Sequence, residues 1–147
     1  MTQVVESNFP KIDPSKKAIW VEALREGQYT QGQGYLRMED TDEGEGCFCY
    51  CCLGVGLDLM DSSKWKKESH IYSYPSHFRN FNGYPPPEFF DWLGVPDNRD
   101  FNDGFYVENE NGMNHAQLAD EWWRVLASMN DKGYTFEEIA DWIEQHL

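Results

Sequence analysis

Met129-Asn130-Asp131-Lys132-Gly133-Tyr134-Thr135-Phe136-Glu137-Glu138-Ile139-Ala140 holds the end of one helix, a turn and the start of another. Thr135 and Glu138 have the spacing of a capping box, in which each side chain satisfies the other residue's free backbone amide. Phe136, Ile139, Ala140 and Ile143 then fall on one face of a helix over Phe136 to His146, with Tyr134 placed to staple onto Ile139. Asn130-Asp131-Lys132-Gly133 reads as the turn of an αα-hairpin whose first helix covers His115 to Met129. Asn130 and Asp131 have a ready role there, capping the preceding helix and shaping the turn.

Toward the N-terminus, Asp13-Pro14 opens another helix, with Asp13 as N-cap and Pro14 in the first helical position. Ile19, Trp20, Ala23 and Leu24 form its apolar stripe, and Gly27 ends it. Met1 to Ile12 is a lead-in arm, and residues 13–147 read as a single globular domain. Gln28 to Gly34 is a polar, Gly-rich turn. Tyr35 to Met38 and Cys47 to Cys51 read as two strands of a hairpin, with the acidic stretch Glu39 to Gly46 as its loop. Leu53 to Met60 is a short helix under the sheet. Asp61 to Asn82 has no clear period and reads as loop with room for one short strand. Pro85-Pro86-Pro87 leads into a helix over Glu88 to Leu93, closed by Gly94, and Phe105 to Val107 offers a further short strand. The expected fold is α+β: a small antiparallel hairpin or sheet packed by an N-terminal helix and a C-terminal αα-hairpin.

A length of 147 residues suffices for a real core without metals or disulfides, and 40% apolar with 16% aromatic residues is far from a disordered composition. Twelve basic against 26 acidic side chains give a net charge of −14. Duplex DNA is gripped mainly by Lys and Arg, and anionic membranes attract the same residues, so neither is an expected partner. The charge either keeps a small protein soluble or draws it to a protein with a basic surface. Candidate contacts for such a partner are Asp40, Asp42, Glu43, Glu45, Glu108 and Glu110. No signal peptide or membrane-spanning run is evident. All four cysteines crowd into Cys47 to Cys52, which argues for a reducing cytoplasm rather than a secreted disulfide framework.

On a strand, Cys47, Cys49 and Cys51 would share one face, with Cys52 opposite. Zinc sites need a second ligand pair far along the chain, and His70, His77, His115 and His146 lack finger spacing. Buried thiols, a zinc site and redox chemistry remain as alternatives. Gly-x-Ser-x-Gly and Walker motifs are absent, Gly32-x-Gly34 and Gly54-x-Gly56 are too short for dinucleotide loops, and the acidic run fails EF-hand spacing. No catalytic residue, metal site or cofactor is therefore assigned. Gln31, Gln33, Tyr35 and Arg37, beside Gln28 and Tyr29, gather polar donors and rings next to glycines. They form either a small-ligand site, for a nucleotide signal for instance, or a hydrogen-bonded turn over the core. Trp122-Trp123 must face different sides of a helix, so one can seek an interface while the other fills the core.

Three stretches taken in order carry a family resemblance: Trp20-Val21-Glu22-Ala23-Leu24-Arg25 leading to Gln31-Gly32-Gln33-Gly34-Tyr35-Leu36-Arg37; Tyr50-Cys51-Cys52-Leu53-Gly54-Val55; and Met129 to Ala140. With Pro86 to Gly94, they resemble a group of small uncharacterised proteins common in bacteriophage genomes and scattered in bacteria. Cys47 and Cys49 look like additions to the group's pattern. The resemblance implies no activity. It implies a context in which small phage proteins bind and disable a host factor in the bacterial cytoplasm, plausibly in antiviral defence. The leading expectation is such a non-enzymatic inhibitor. A small-ligand module and a zinc- or thiol-dependent enzyme are the alternatives.

Overall fold

The computed structural model describes residues 9–39, 47–76, 79–97 and 122–147. Among them are five α-helices and six short strands. In chain order they are α1 (Pro14–Glu26), β1 (Thr30–Gln31), β2 (Arg37–Glu39), β3 (Phe48–Tyr50), α2 (Cys52–Asp61), β4 (Lys66–Glu68), β5 (Ile71–Pro75), β6 (Asn80–Phe81), α3 (Pro87–Leu93), α4 (Trp122–Asp131) and α5 (Phe136–His146). The fold is α+β, with the N-terminal helix and the C-terminal helix pair in the expected places. None of the helices described is long and apolar enough to cross a membrane.

Local signals set the helix ends. Asp13 accepts from the amides of Ser15 and Lys16, and Gly27 leaves α1 in the left-handed region at φ 76°. Thr135 and Glu138 close the capping box of α5 in both directions. The start of the expected helix at His115 and the strand at Phe105 to Val107 fall outside the described residues.

The sheet runs β1-β3-β2-β5-β4, with β6 paired to β5. All pairs are antiparallel except β1 and β3, so the expected antiparallel sheet is a mixed one. Thr30 and Gln31, in the segment read as a turn, pair with Cys49 and Tyr50. Asp61 to Asn82, read as mostly loop, contributes three strands, including the β4–β5 hairpin turning at Ser69, whose φ is 66°. Cys51 leaves the strand to cap α2, its sulfur accepting from the amide of Gly54.

α2 is the central helix, buried along Cys52 to Leu57. Two glycines let its neighbours close on it. A Cβ on Gly54 would stand 1.8 Å from the Leu36 carbonyl oxygen, and one on Gly56 would stand 2.6 Å from the Phe89 ring. Beside them, Trp20, Phe89, Phe90 and Trp122 form an aromatic core, with Trp20 meeting Phe89 edge-on at 5.4 Å and Phe90 against Trp122 at 5.3 Å. The Trp20 indole donates to the Cys52 carbonyl, which satisfies its one polar atom. Both Trp122 and Trp123 are buried, the latter against Tyr84 at 4.9 Å.

The last residues of the arm dock on the helix pair. The Ile12 amide donates to the Leu147 carbonyl, and Phe9 meets Trp142 at 5.2 Å. Arg25 of α1 pairs with Asp141 and Glu144 of α5.

Candidate functional site

Asn130 is 0% exposed and holds three segments together. Its Oδ1 accepts from the Gln31 amide at 3.0 Å and from the Cys52 backbone amide at 3.2 Å, and its Nδ2 donates to the Gly32 carbonyl at 2.7 Å. Gln31 also donates to the Tyr134 carbonyl, Gln33 donates to the Asn130 carbonyl, and Asp131 accepts from the Gly34 amide. The amide donors of Gln31 and Gln33, expected to face a ligand, are therefore turned to the α4–α5 junction. Asn130 and Asp131, expected to cap the preceding helix, lie in its last turn instead, and their side chains reach across the fold. A buried amide with every partner satisfied fixes one arrangement of the segments around it.

Arg37 is two strands away. It stands between Tyr50 of β3 and Tyr72 of β5, directly opposite both in register, and Tyr72 is opposite Lys67 of β4. The Arg37 guanidinium lies 3.9 Å from the Phe48 ring centroid, 4.3 Å from Tyr72, 5.5 Å from Trp65 and 5.6 Å from Tyr50. Asp58 of α2 supports this collar from behind, accepting from the Tyr29 hydroxyl at 2.7 Å and the Trp65 indole at 3.0 Å. Burial, with Asp58 nearby, pushes the Tyr50 hydroxyl up to about 12, against the opposing pull of Arg37. Its ring is thus neutral at any physiological pH.

A third feature opens on the far side of the Asn130 knot. Gly34, Cys51, Gly83, Tyr84, Ala127 and Asp131 line a cleft of about 180 Å³. Sharing Tyr84, Ala127 and Asp131, a broader trough of about 500 Å³ continues along α4 past Arg124, Ser128 and Lys132 to Tyr134. Tyr134 is 44% exposed at its end, and Tyr35, next to Gly34, is 37% exposed. Arg124 lies over the Trp123 ring at 5.2 Å and the Tyr84 ring at 5.8 Å. At Gly83, which lines the smaller cleft, a Cβ would meet nothing within 4 Å.

A family model described as a domain of unknown function, DUF8296, matches residues 12–147, which takes in every described element from α1 to α5. The chain belongs to this family. No curated protein and no solved structure matches it.

Within this DUF8296 domain the remaining sequence expectations fall as follows. Tyr35 is exposed beside Gly34, whereas Arg37 belongs to the aromatic collar, so the four residues expected to share a ligand do not converge on one place. Cys47 is exposed, and Cys49, Cys51 and Cys52 are buried, with no disulfide among them. They do not line one strand face, because Cys51 caps α2 and Cys52 lies within it, its thiol directed to the Leu126 carbonyl. Burial pushes the Cys51 thiol up to about 11 and raises Cys52 as well, which disfavours a thiolate at either position. Among the described residues no group of three or more His, Cys, Asp or Glu is placed to hold a metal ion. Asp40, Asp42, Glu43, Glu45, Glu108 and Glu110 lie outside the described residues. Tyr84, Arg124 and Asp58 were not legible as site residues. Their roles come from contacts between distant segments, and no local pattern marks them.

Proposed function

We propose that this domain is a non-enzymatic binding module that docks on a host protein through the Tyr84 trough and disables it. In this reading it is a phage-type accessory protein working in the bacterial cytoplasm. The observation that carries the reading is the pair of tyrosines, Tyr84 and Tyr134, set with Arg124 along an open trough on a rigid frame. Tyrosine and arginine dominate the energetics of protein interfaces, because they bury large area at small entropic cost and keep a polar end. The Asn130 knot ties the end of α4, which forms one wall of the trough, to β1 and α2, so little ordering of that wall remains to be done on binding. The net charge of −14 adds long-range steering toward a partner with a basic surface, and the acidic segment from Asp40 to Glu45 belongs to that field.

The test is affinity capture from bacterial lysate with the intact chain, compared with a Tyr84→Ala, Tyr134→Ala variant whose melting curve shows it folded. A discrete protein retained by the parent at low salt, weakened by added salt and lost with the variant, is the expected result. Equal retention by both chains, or retention indifferent to salt, overturns the reading.

A further inference from the structure

The chain has more than twice as many acidic as basic side chains, and two of its cations are paired with carboxylates: Arg25 with Asp141 and Glu144, and Lys67 with Glu39 at 3.0 Å. Arg37 differs from these two. Its guanidinium is half-buried, its Nε is buried without a hydrogen-bond partner, and it makes no ion pair among the described residues. Glu39, two residues on along the same strand, reaches Lys67 instead, and both oxygens of Asp58 are occupied by Tyr29 and Trp65. Rings alone hold the cation, with Phe48 and Tyr72 closest. Such a guanidinium stays charged at any accessible pH, is fixed in orientation by the stacking, and keeps its forked donors for an oxyanion.

We propose that Arg37 and its aromatic collar form a binding site for a phosphate-type oxyanion, taken end-on by the terminal guanidinium nitrogens. Lys67, across Tyr72 in the same cross-strand row, stands at the rim with its ammonium paired to Glu39, so Arg37 is the cation that takes the anion. Free phosphate and the phosphate of a nucleotide share this chemistry. A nucleotide adds a base, which stacks on aromatic rings, and Tyr72 and Phe48 are both half-buried beside Arg37. The site is separate from the Tyr84 trough and does not rest on the docking reading.

Proton–nitrogen NMR of the intact chain gives the test, with the Trp65 indole signal assigned through Trp65→Phe. Inorganic phosphate and adenosine monophosphate are titrated in parallel against sodium chloride at equal ionic strength. Saturable movement of the Trp65 indole and the Arg37 Nε–H with phosphate, and not with chloride, is the expected result. Arg37→Lys, which keeps the charge and loses the fork, should weaken binding about tenfold or more, and Arg37→Met should abolish it. Tighter binding of adenosine monophosphate identifies a nucleotide as the source, and equal binding identifies the bare anion. No saturable shift at tens of millimolar, or the same affinity in a folded Arg37→Lys chain, overturns the proposal even if Arg37→Met fails to fold.

Discussion

Replacing Asn130 by Ala removes one side chain and takes a partner from three groups on two other segments. The Cys52 amide is buried and has no other partner described, so its exposure to an apolar wall costs about 1–3 kcal/mol. The Gly32 carbonyl is partly buried and loses a bond worth about 1 kcal/mol, and Gln31 keeps only its second acceptor, Tyr134. The sum is about 3–4 kcal/mol, which for a chain of this size lowers the melting temperature by roughly 8–15 °C. Urea unfolding reads the effect as a lower midpoint at unchanged slope. Asn130→Asp separates the contributions. It keeps the acceptor for Cys52 but places a carboxylate oxygen against the Gly32 carbonyl, so it should be as destabilised as Asn130→Ala at neutral pH. It should recover in part in mild acid, where the protonated carboxyl regains a donor. A loss under about 1 kcal/mol for Asn130→Ala, with no acid recovery of Asn130→Asp, would refute the idea that this amide ties the turn, α2 and the helix pair together.

Gly54→Ala sets a Cβ against backbone at Leu36 and should cost about 3 kcal/mol or more, whereas Gly83→Ala, in open space, should change stability by less than about 1 kcal/mol. Equal midpoints for the two variants would contradict the close approach of α2 to the backbone at Leu36. Thiol titration of the native chain with a disulfide reagent at mildly alkaline pH should show one fast thiol, Cys47, and three more only after denaturation. Two or more fast thiols would mean that the α2 cap is open. Tyr50 holds its proton up to about pH 12 in the folded chain, whereas an unfolded tyrosine releases it near ~10. The native state binds more protons in that window, so its stability is full below it and falls as pH rises through it. Tyr29, Tyr74, Cys51 and Cys52 shift in the same direction and add to the loss. A urea midpoint that stays flat from about pH 9 to about pH 11 would contradict these buried hydroxyls and thiols.

Elements whose signals are local were legible in the sequence. Asp13-Pro14 with Gly27, Gly94 after α3, and Thr135 with Glu138 each fix an end of a helix by chemistry within four residues, and those helices stand where the residues put them. The short strands were not legible in the same way. β1 has two residues and β4 is exposed throughout, so neither shows an alternation, and both exist through pairing with distant partners. Cys51 illustrates the ambiguity: five residues from Cys47 alternate as a strand should, yet the last one serves as a helix cap. Polar residues were read by type and not by destination. Gln31, Gln33 and Arg37 look like one constellation in the chain, but Asn130, buried for reasons no local pattern reveals, draws the glutamines away from the arginine.

The docking claim is tested most directly by site-specific photo-crosslinking. A benzophenone side chain is placed in turn at Tyr84, at Tyr134 and at Ile19, which is 45% exposed on α1, and the proteins are irradiated in bacterial cells. Crosslinks from the Tyr84 and Tyr134 positions to one and the same host protein, with none to it from Ile19, are what the account predicts. Crosslinks to that protein from Ile19 alone, or no discrete product from either trough position, would contradict it.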